Sequence, residues 1–149
     1  MHRQVLIAIV VFAGAARADE ARARVEKPQY VLALSGGQGV KVGAPATVEL
    51  VLTARGGYHV NRDYPSNLKV DAAADGVKYP RAKLDISSGL VLTTCGGRDP
   101  CEARLPLPFT IERAGTYPVG GTFAFCVCNA DECLIEKVAV ALPVTAAGG

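Results

Sequence analysis

The apolar residues of this chain occur in short runs separated by turn-forming residues, and this pattern restricts the fold more than any other feature. In the run from 46 to 54, Val48, Leu50 and Leu52 alternate with the polar residues Glu49 and Thr53. This period of two is typical of a half-buried β-strand. No stretch of about ten or more residues combines a helical period with helix caps. The sequence therefore predicts an all-β fold, an antiparallel β-sandwich. The predicted strands are YVLALS, ATVELVLTA, NLKVDA, GLVLTT, ARLPLPFTI, GTFAFCV and CLIEKVAVALPV.

The N-terminus has the three parts of a secretory signal peptide. Arg3 gives a positive start, Val5 to Ala13 is an unbroken apolar run, and Ala16-Arg17-Ala18 fits an A-x-A cleavage site. The apolar run is too short for a membrane span, which needs about 20 residues. We therefore expect cleavage after Ala18, export of the mature chain, and pairing of its cysteines in an oxidising compartment. No later segment is long and apolar enough to cross a membrane.

The remaining composition excludes several functions. Removal of residues 1–18 would leave equal numbers of basic and acidic residues, so the sequence does not favour nucleic-acid binding. Gly36-Gly37-Gln38-Gly39 lacks the following Lys and helix of a phosphate-binding loop, and no Ser-His-Asp set is present. No cofactor is predicted. Residues 19–29 are predicted to form a polar tether, residues 30–144 one domain, and residues 145–149 a disordered tail.

Three of the five cysteines lie within the segment FCVCNADECLIEK, from 125 to 137. Bulky residues alternate in the strand before the NADE turn, which places Cys126 and Cys128 together on the opposite, outer face. In the following strand, Cys133 lies opposite the face of Leu134, Val138 and Val140. A hairpin would set Cys128 directly against Cys133, with Cβ atoms about 4.5–5.5 Å apart, near disulfide reach. Cys126 would reach Cys133 only diagonally, at about 7–8 Å.

The other two cysteines, Cys95 and Cys101, flank Gly-Gly-Arg-Asp-Pro, whose turn residues would allow them to meet. We expect this pair to be a loop staple. Cys126 is then the odd cysteine, and an odd cysteine in an exported protein indicates a free thiol or an alternative partner.

The hairpin resembles the redox hairpin of the amino-terminal, immunoglobulin-like domain of DsbD-type thiol:disulfide interchange proteins. The similarity extends to GYHVN (57–61), Tyr79-Pro80, LPLPFTI (105–111) and AGTYPVGGTF (114–123), and so to most of residues 30–144. The sequence departs from the family in three places. Its loop between the cysteines has four residues, one fewer than expected; Cys126 is additional; and TTCGGRDPC (93–101) stands where the family has an acidic and aromatic cap.

The resemblance implies an immunoglobulin-like β-sandwich in the periplasm that passes electrons between thioredoxin-like or other thiol/disulfide proteins. It implies Cys133 as the attacking thiol and Cys128 as the resolving thiol, with the membrane and thioredoxin-like modules supplied by separate proteins. Asp131 and Glu132 would disfavour a nearby thiolate, whereas Lys137 would favour it.

Two other functions remain open at this stage. One is a non-catalytic binding module in which Cys128–Cys133 and Cys95–Cys101 are structural staples. The other is a Cu(I) carrier, because C-x-C followed by a third cysteine offers soft thiolate ligands. His59, the only histidine beyond the predicted signal peptide, lies in a turn-like GYHVN segment where a structural role is the more common one.

Overall fold

The computed structural model describes residues 22–71 and 75–148, and 62% of them lie in β-strands. The predicted signal peptide, residues 1–18, lies outside this range. The only helical element in the described ranges is a short 3-10 turn at Ile86–Ser88. Within residues 22–71 and 75–148, no helix has the length and apolar character needed to cross a membrane.

The described residues form twelve strands in two sheets, which confirms the predicted all-β sandwich. The strands are β1 (Arg24–Glu26), β2 (Tyr30–Gly36), β3 (Val40–Lys41), β4 (Ala46–Ala54), β5 (His59–Val60), β6 (Asn67–Val70), β7 (Val77–Lys78), β8 (Lys83–Leu84), β9 (Val91–Thr94), β10 (Pro100–Ile111), β11 (Gly115–Cys128) and β12 (Cys133–Ala147). The first sheet has the order β1-β2-β4-β10-β7, with β9 also paired to β10, and the second has the order β3-β12-β11-β6-β8, with β5 also paired to β11. All of these strand pairs are antiparallel except β3 with β12.

The core lies between the facing surfaces of the two sheets. In β4 the alternating Val48, Leu50 and Leu52 are buried, as their period of two predicts. Alternate residues of β10 and β11 complete the same layer, so that each sheet contributes one apolar face. Full burial of one such side chain stabilises the fold by about 1.5–3 kcal/mol. The buried side chains of β11 that face this core are Val119, Phe123, Phe125 and Val127.

The ends of the domain differ from the predicted organisation. Residues 24–26, in the segment predicted as a tether, form the edge strand β1 against Val31 to Ala33. At the other end, β12 continues to Ala147 because Thr145 and Ala146 still pair with β11. Strand pairing at both ends supplies backbone hydrogen-bond partners that residue composition does not reveal.

The β11–β12 hairpin positions the cysteines. Its two strands pair without interruption from Gly115 opposite Ala146 to Cys128 opposite Cys133. On the other side of β11, β5 pairs at Cys128 and Val127, and β6 pairs from Ala124 to Gly121. The cysteine end of β11 therefore lies inside a sheet, with neighbouring strands on both sides.

Candidate functional site: a cluster of three sulfur atoms at the hairpin end

The four-residue turn between the cysteines is built around Asn129. Its side-chain oxygen Oδ1 accepts hydrogen bonds from the backbone N–H groups of Asp131 (2.9 Å) and Glu132 (2.8 Å). The backbone N–H of Asn129 donates to the carbonyl of Glu132 at 2.9 Å. Asn favours turns because its side chain can replace a backbone acceptor in this way. The turn thereby fixes the register that sets Cys128 directly opposite Cys133.

Cys128 and Cys133 are joined by a disulfide, and their Cα atoms lie 4.1 Å apart. Cys95 and Cys101 form a second disulfide, with a Cα–Cα distance of 5.7 Å. Cys126 is a free, buried cysteine. The chain thus has two cysteine pairs at disulfide distance and one thiol beside the hairpin pair.

The three sulfur atoms at the hairpin end are closer together than strand spacing alone predicts. The Sγ atoms of Cys126, Cys128 and Cys133 all lie within 4.8 Å of one another. Cys126 Sγ is 3.8 Å from Cys128 Sγ. The expected diagonal spacing of about 7–8 Å from Cys126 to Cys133 applies to backbone positions, and the side chains converge above the sheet. We call this group the sulfur cluster.

The sulfur cluster is buried on one side and open on the other, which corrects the expectation of a hairpin bond on an open outer face. Cys126 is 2% exposed and Cys128 is 4% exposed. Cys133, across the hairpin, is exposed. The disulfide is therefore open to solvent on the side of Cys133.

The segment over Cys126 and Cys128 is the Asn61 loop, residues 61–66. It begins after Val60, the last residue of β5, and ends at Asn67, the first residue of β6, and both strands pair with β11. The backbone N–H of Asn61 donates to the carbonyl of Cys126 at 2.8 Å, so the loop begins firmly attached to the cysteine strand. The strand pattern could not reveal this cover, because the loop approaches β11 from a distant part of the chain.

Asn61 directs its side-chain amide at the sulfur atoms. Its Nδ2 donates to Cys128 Sγ at 3.4 Å and lies 3.9 Å from Cys126 Sγ. Its Oδ1 accepts from the backbone N–H groups of Asp63 (2.8 Å) and Tyr64 (3.2 Å). Because only an oxygen can accept those two bonds, the NH₂ group must face the sulfurs. Sequence reasoning quoted Asn61 in the GYHVN motif without assigning it a role.

The Cys126 thiol is held in its protonated form. Burial raises its pKa, and the hydrogen bond from Asn61 offsets only part of this effect. The thiolate is the nucleophilic form of cysteine, so Cys126 is a weak nucleophile in the oxidised protein.

The turn also contacts Tyr58, which precedes β5. The Tyr58 hydroxyl donates a hydrogen bond to the carboxylate of Glu132, next to Cys133. This bond raises the pKa of Tyr58, because ionisation of the phenol would remove the donor. The carboxylate of Glu132, expected to disfavour a thiolate at Cys133, is thus partly occupied by a neutral donor.

The loop closed by Cys95–Cys101 touches the strand segment that carries Asn61. Asp99 Oδ2 lies 3.9 Å from His59 Nδ1, and Arg62 donates to the carbonyl of Arg98 at 3.3 Å. His59 itself pairs with Cys128 along the sheet. This loop, residues 95–101, therefore lies beside the sulfur cluster and is linked to it through residues 59–62.

No protein-family model, curated protein sequence or solved structure gives a match to the chain.

Proposed function

We propose that this chain is a thiol:disulfide exchange domain that passes electrons between partner proteins through Cys128 and Cys133. One observation carries the proposal: the disulfide joins an exposed sulfur, Cys133, to a buried sulfur, Cys128, that already has a hydrogen-bond donor in Asn61. The order and spacing of motifs that resemble the DsbD-type amino-terminal domain support it independently.

Reduction of the domain would begin at the exposed sulfur. A thiolate of a thioredoxin-like donor attacks Cys133 Sγ and forms a mixed disulfide, and Cys128 Sγ leaves with the bonding electron pair. The Asn61 amide donates to the departing thiolate, and hydrogen bonds to a charged acceptor are stronger than neutral ones. A better-stabilised leaving thiolate speeds exchange.

The second thiol of the donor then completes the transfer. It attacks the donor's own sulfur in the mixed disulfide, which releases Cys133 as a thiolate and leaves the donor with a disulfide. Two electrons have moved to the domain, and protons from solvent convert Cys128 and Cys133 into thiols. Oxidation by an acceptor runs through the same steps in reverse order, with Cys133 attacking the acceptor disulfide and Cys128 resolving the mixed disulfide.

A purely structural disulfide is the competing interpretation, and the bond's position argues against it. The cysteines are five residues apart, so the bond closes a short loop. Because so short a loop removes little entropy from the unfolded chain, the bond stabilises the fold by only about 2 kcal/mol. Strand β11 is already held by continuous pairing with β12 on one side and by pairing with β5 and β6 on the other. An exposed sulfur adds no stability but gives an attacking thiolate access.

The reduction potentials of the two disulfides test the proposal. The Cys128–Cys133 bond should equilibrate with a thioredoxin-like dithiol and have a potential above about −300 mV, the upper limit for typical structural disulfides. The Cys95–Cys101 bond in the same molecule is the internal control. It also closes a short loop, and Cys95 is also exposed, but the Asn61 amide donates to Cys128 and not to this pair, so the Cys95–Cys101 bond should resist the same dithiol. Equal resistance of both bonds would favour a disulfide-stapled binding module.

A further inference from the structure

We propose that the reduced sulfur cluster binds one Cu(I) ion through Cys126, Cys128 and Cys133. The three Sγ atoms already lie within 4.8 Å of one another on a preformed sheet end. Cysteine thiolates are soft ligands that select soft metals, including Cu(I). The proposal depends on the exchange function only for the supply of reduced thiols.

The number of ligands favours Cu(I) over zinc. Structural zinc sites take four tetrahedral ligands, whereas this group has three. His59 is the one histidine within the described ranges, and its Nδ1 lies 3.9 Å from the carboxylate of Asp99. No Asp or Glu of the described residues belongs to the group. A site with three sulfur ligands suits a small, soft, monovalent ion.

The surroundings of the cluster resemble those of a metal site with an ordered outer shell. Two of the sulfurs are nearly inaccessible to water, and Asn61 Nδ2 faces both of them. The Asn61 amide is itself held by two backbone donors, so its orientation does not depend on the ion. Outer-shell donors of this kind orient ligands and tune their basicity. Copper would enter and leave on the side of Cys133, which is exposed to solvent.

The oxidation state of the hairpin would control the site. In the oxidised protein Cys128 and Cys133 are bonded to each other, and Cys126 alone has a free sulfur. A dithiol reductant supplies two electrons and two protons, becomes a disulfide itself, and yields two new thiols beside Cys126. Cu(I) then replaces the thiol protons, which pass to solvent. When an acceptor disulfide takes two electrons from the pair and becomes a dithiol, the Cys128–Cys133 bond forms again, two of the three ligands are lost and the ion is released.

A competition titration tests the site. The purified chain is reduced with a phosphine, freed of reductant by anaerobic gel filtration, and titrated with Cu(I) against a chromogenic Cu(I) chelator. We expect one tightly held copper per monomeric chain, with three sulfur neighbours by X-ray absorption, and none in the oxidised chain. Because the reduction is chemical, the result does not depend on whether a protein partner reduces the disulfide.

Variants test whether copper binding depends on the sulfur cluster itself or only on the number of cysteines in the chain. Cys126→Ser and Cys126→Ala should each weaken copper binding, while the matched double variant Cys95→Ser/Cys101→Ser should bind as the parent does. Asn61→Ala should weaken binding by about 10- to 100-fold, the usual effect of losing an outer-shell partner. Far-ultraviolet circular dichroism checks that each variant is folded. Unchanged affinity in both Cys126 variants, two sulfur neighbours, or a copper-bridged dimer would each overturn the three-sulfur site.

Discussion

The side-chain amide of Asn61 donates a hydrogen bond to the sulfur of Cys128 across 67 positions of sequence, at an Nδ2–Sγ distance of 3.4 Å. The two residues meet because β5 pairs with the last residues of β11. The same amide oxygen is fixed by the backbone of Asp63 and Tyr64. In the proposed exchange, the sulfur that becomes a thiolate thus has an oriented donor before any partner arrives.

Substitution of Asn61 should slow reduction of the hairpin disulfide. In Asn61→Ala the leaving thiolate of Cys128 loses its donor, and a loss of about 1.4 kcal/mol in the transition state corresponds to about tenfold in rate. Asn61→Asp should be slower still, since it keeps the acceptor for the loop backbone but turns a carboxylate oxygen toward the sulfur. Stopped-flow measurement of reduction by a small dithiol gives the rates.

Asn67 provides the matched control for this experiment. Its Nδ2 donates to the carbonyl of Pro65 at 3.0 Å, at the far end of the same loop, whereas the Asn61 amide donates to sulfur. Asn67→Ala should leave the rate within about twofold of the parent, because the leaving thiolate keeps its donor. Equal slowing in the Asn61 and Asn67 variants would mean that general loosening of the loop, and not the bond to sulfur, controls the rate.

The asymmetry in burial predicts which cysteine holds a partner. In Cys126→Ser/Cys128→Ser, the exposed Cys133 should accumulate mixed disulfides with oxidised thioredoxin-like proteins, because neither neighbouring thiol remains to release them. Cys126 is changed as well since its sulfur is close enough to replace Cys128. Non-reducing electrophoresis followed by mass mapping identifies the linked cysteine.

The mirror variant supplies the control. Cys126→Ser/Cys133→Ser leaves Cys128, which is 4% exposed, as the remaining hairpin thiol. It should trap at least about tenfold less partner, because a mixed disulfide requires direct access to the sulfur. Equal trapping by the two variants would contradict the assignment of Cys133 as the reacting sulfur.

The disulfide-closed loop from Cys95 to Cys101 should shield the hairpin bond. Its Asp99 and Arg98 contact His59 and Arg62, which flank the Asn61 position. Opening the loop in Cys95→Ser/Cys101→Ser should increase the rate of reaction with small thiols by a few fold, while Asn61 keeps its backbone contacts. Reaction with glutathione, followed by alkylation and mass spectrometry, measures this. A rate equal to that of the parent would show that the loop does not cover the bond.

The fold class was predictable because the pattern that indicates it lies in residues that are close together in the sequence. Alternation in the segment around Val48, Leu50 and Leu52 identifies a strand and its buried face from neighbouring residues alone. The hairpin register follows in the same way from the apolar face of each strand and the short turn that joins them. These features need no knowledge of which strands lie side by side.

The environment of the cysteines was not predictable, because distant segments create it. Cys126 and Cys128 point away from the core, as their alternation indicates, yet the Asn61 loop covers them. The contact of Asp99 with His59 and that of Tyr58 with Glu132 join residues from separate loops. Strand periodicity says which side a residue faces but not what lies there. The contact of Asn61 with the sulfur atoms could have been predicted only by assuming that β5 pairs with the cysteine end of β11.

Gly120 should be required for the close approach of β11 to β12. A Cβ atom at this position would clash with the Val140 carbonyl and lie 2.8 Å from the Cα of Ala141, so the backbone would have to move. Gly120→Ala should reduce the free energy of unfolding by about 3 kcal/mol, as overpacking does. Gly97→Ala is the control, since a Cβ there meets nothing within 4 Å. Urea unfolding compares the two, and equal stabilities would contradict the predicted clash.

Tyr30 should make the fold less stable at alkaline pH. The residue is 1% exposed and its ring packs edge-to-face on Phe125, with a centroid distance of 4.9 Å. Burial, with a smaller effect from the Glu136 carboxylate, raises its pKa from 10.0 to about 12. Between these values the unfolded chain has already lost the phenolic proton that the folded chain retains. The contribution of the neutral phenol is therefore complete below pH 10 and is lost as the pH rises toward 12.

Each pKa unit corresponds to about 1.4 kcal/mol, and at pH 12 about half of the folded molecules still retain the Tyr30 proton, so the expected loss by that pH is about 2 kcal/mol. Tyr30→Phe should be free of this loss, so the stability difference between parent and variant should shift by that amount between pH 9 and pH 12. Both proteins should carry Cys126→Ser, because a thiolate at high pH would reshuffle the disulfides. Urea unfolding at closely spaced pH values measures the difference. If parent and Tyr30→Phe lose stability in parallel throughout this range, the Tyr30 hydroxyl ionises as it does in the unfolded chain, and its burial does not control the alkaline stability of the sandwich.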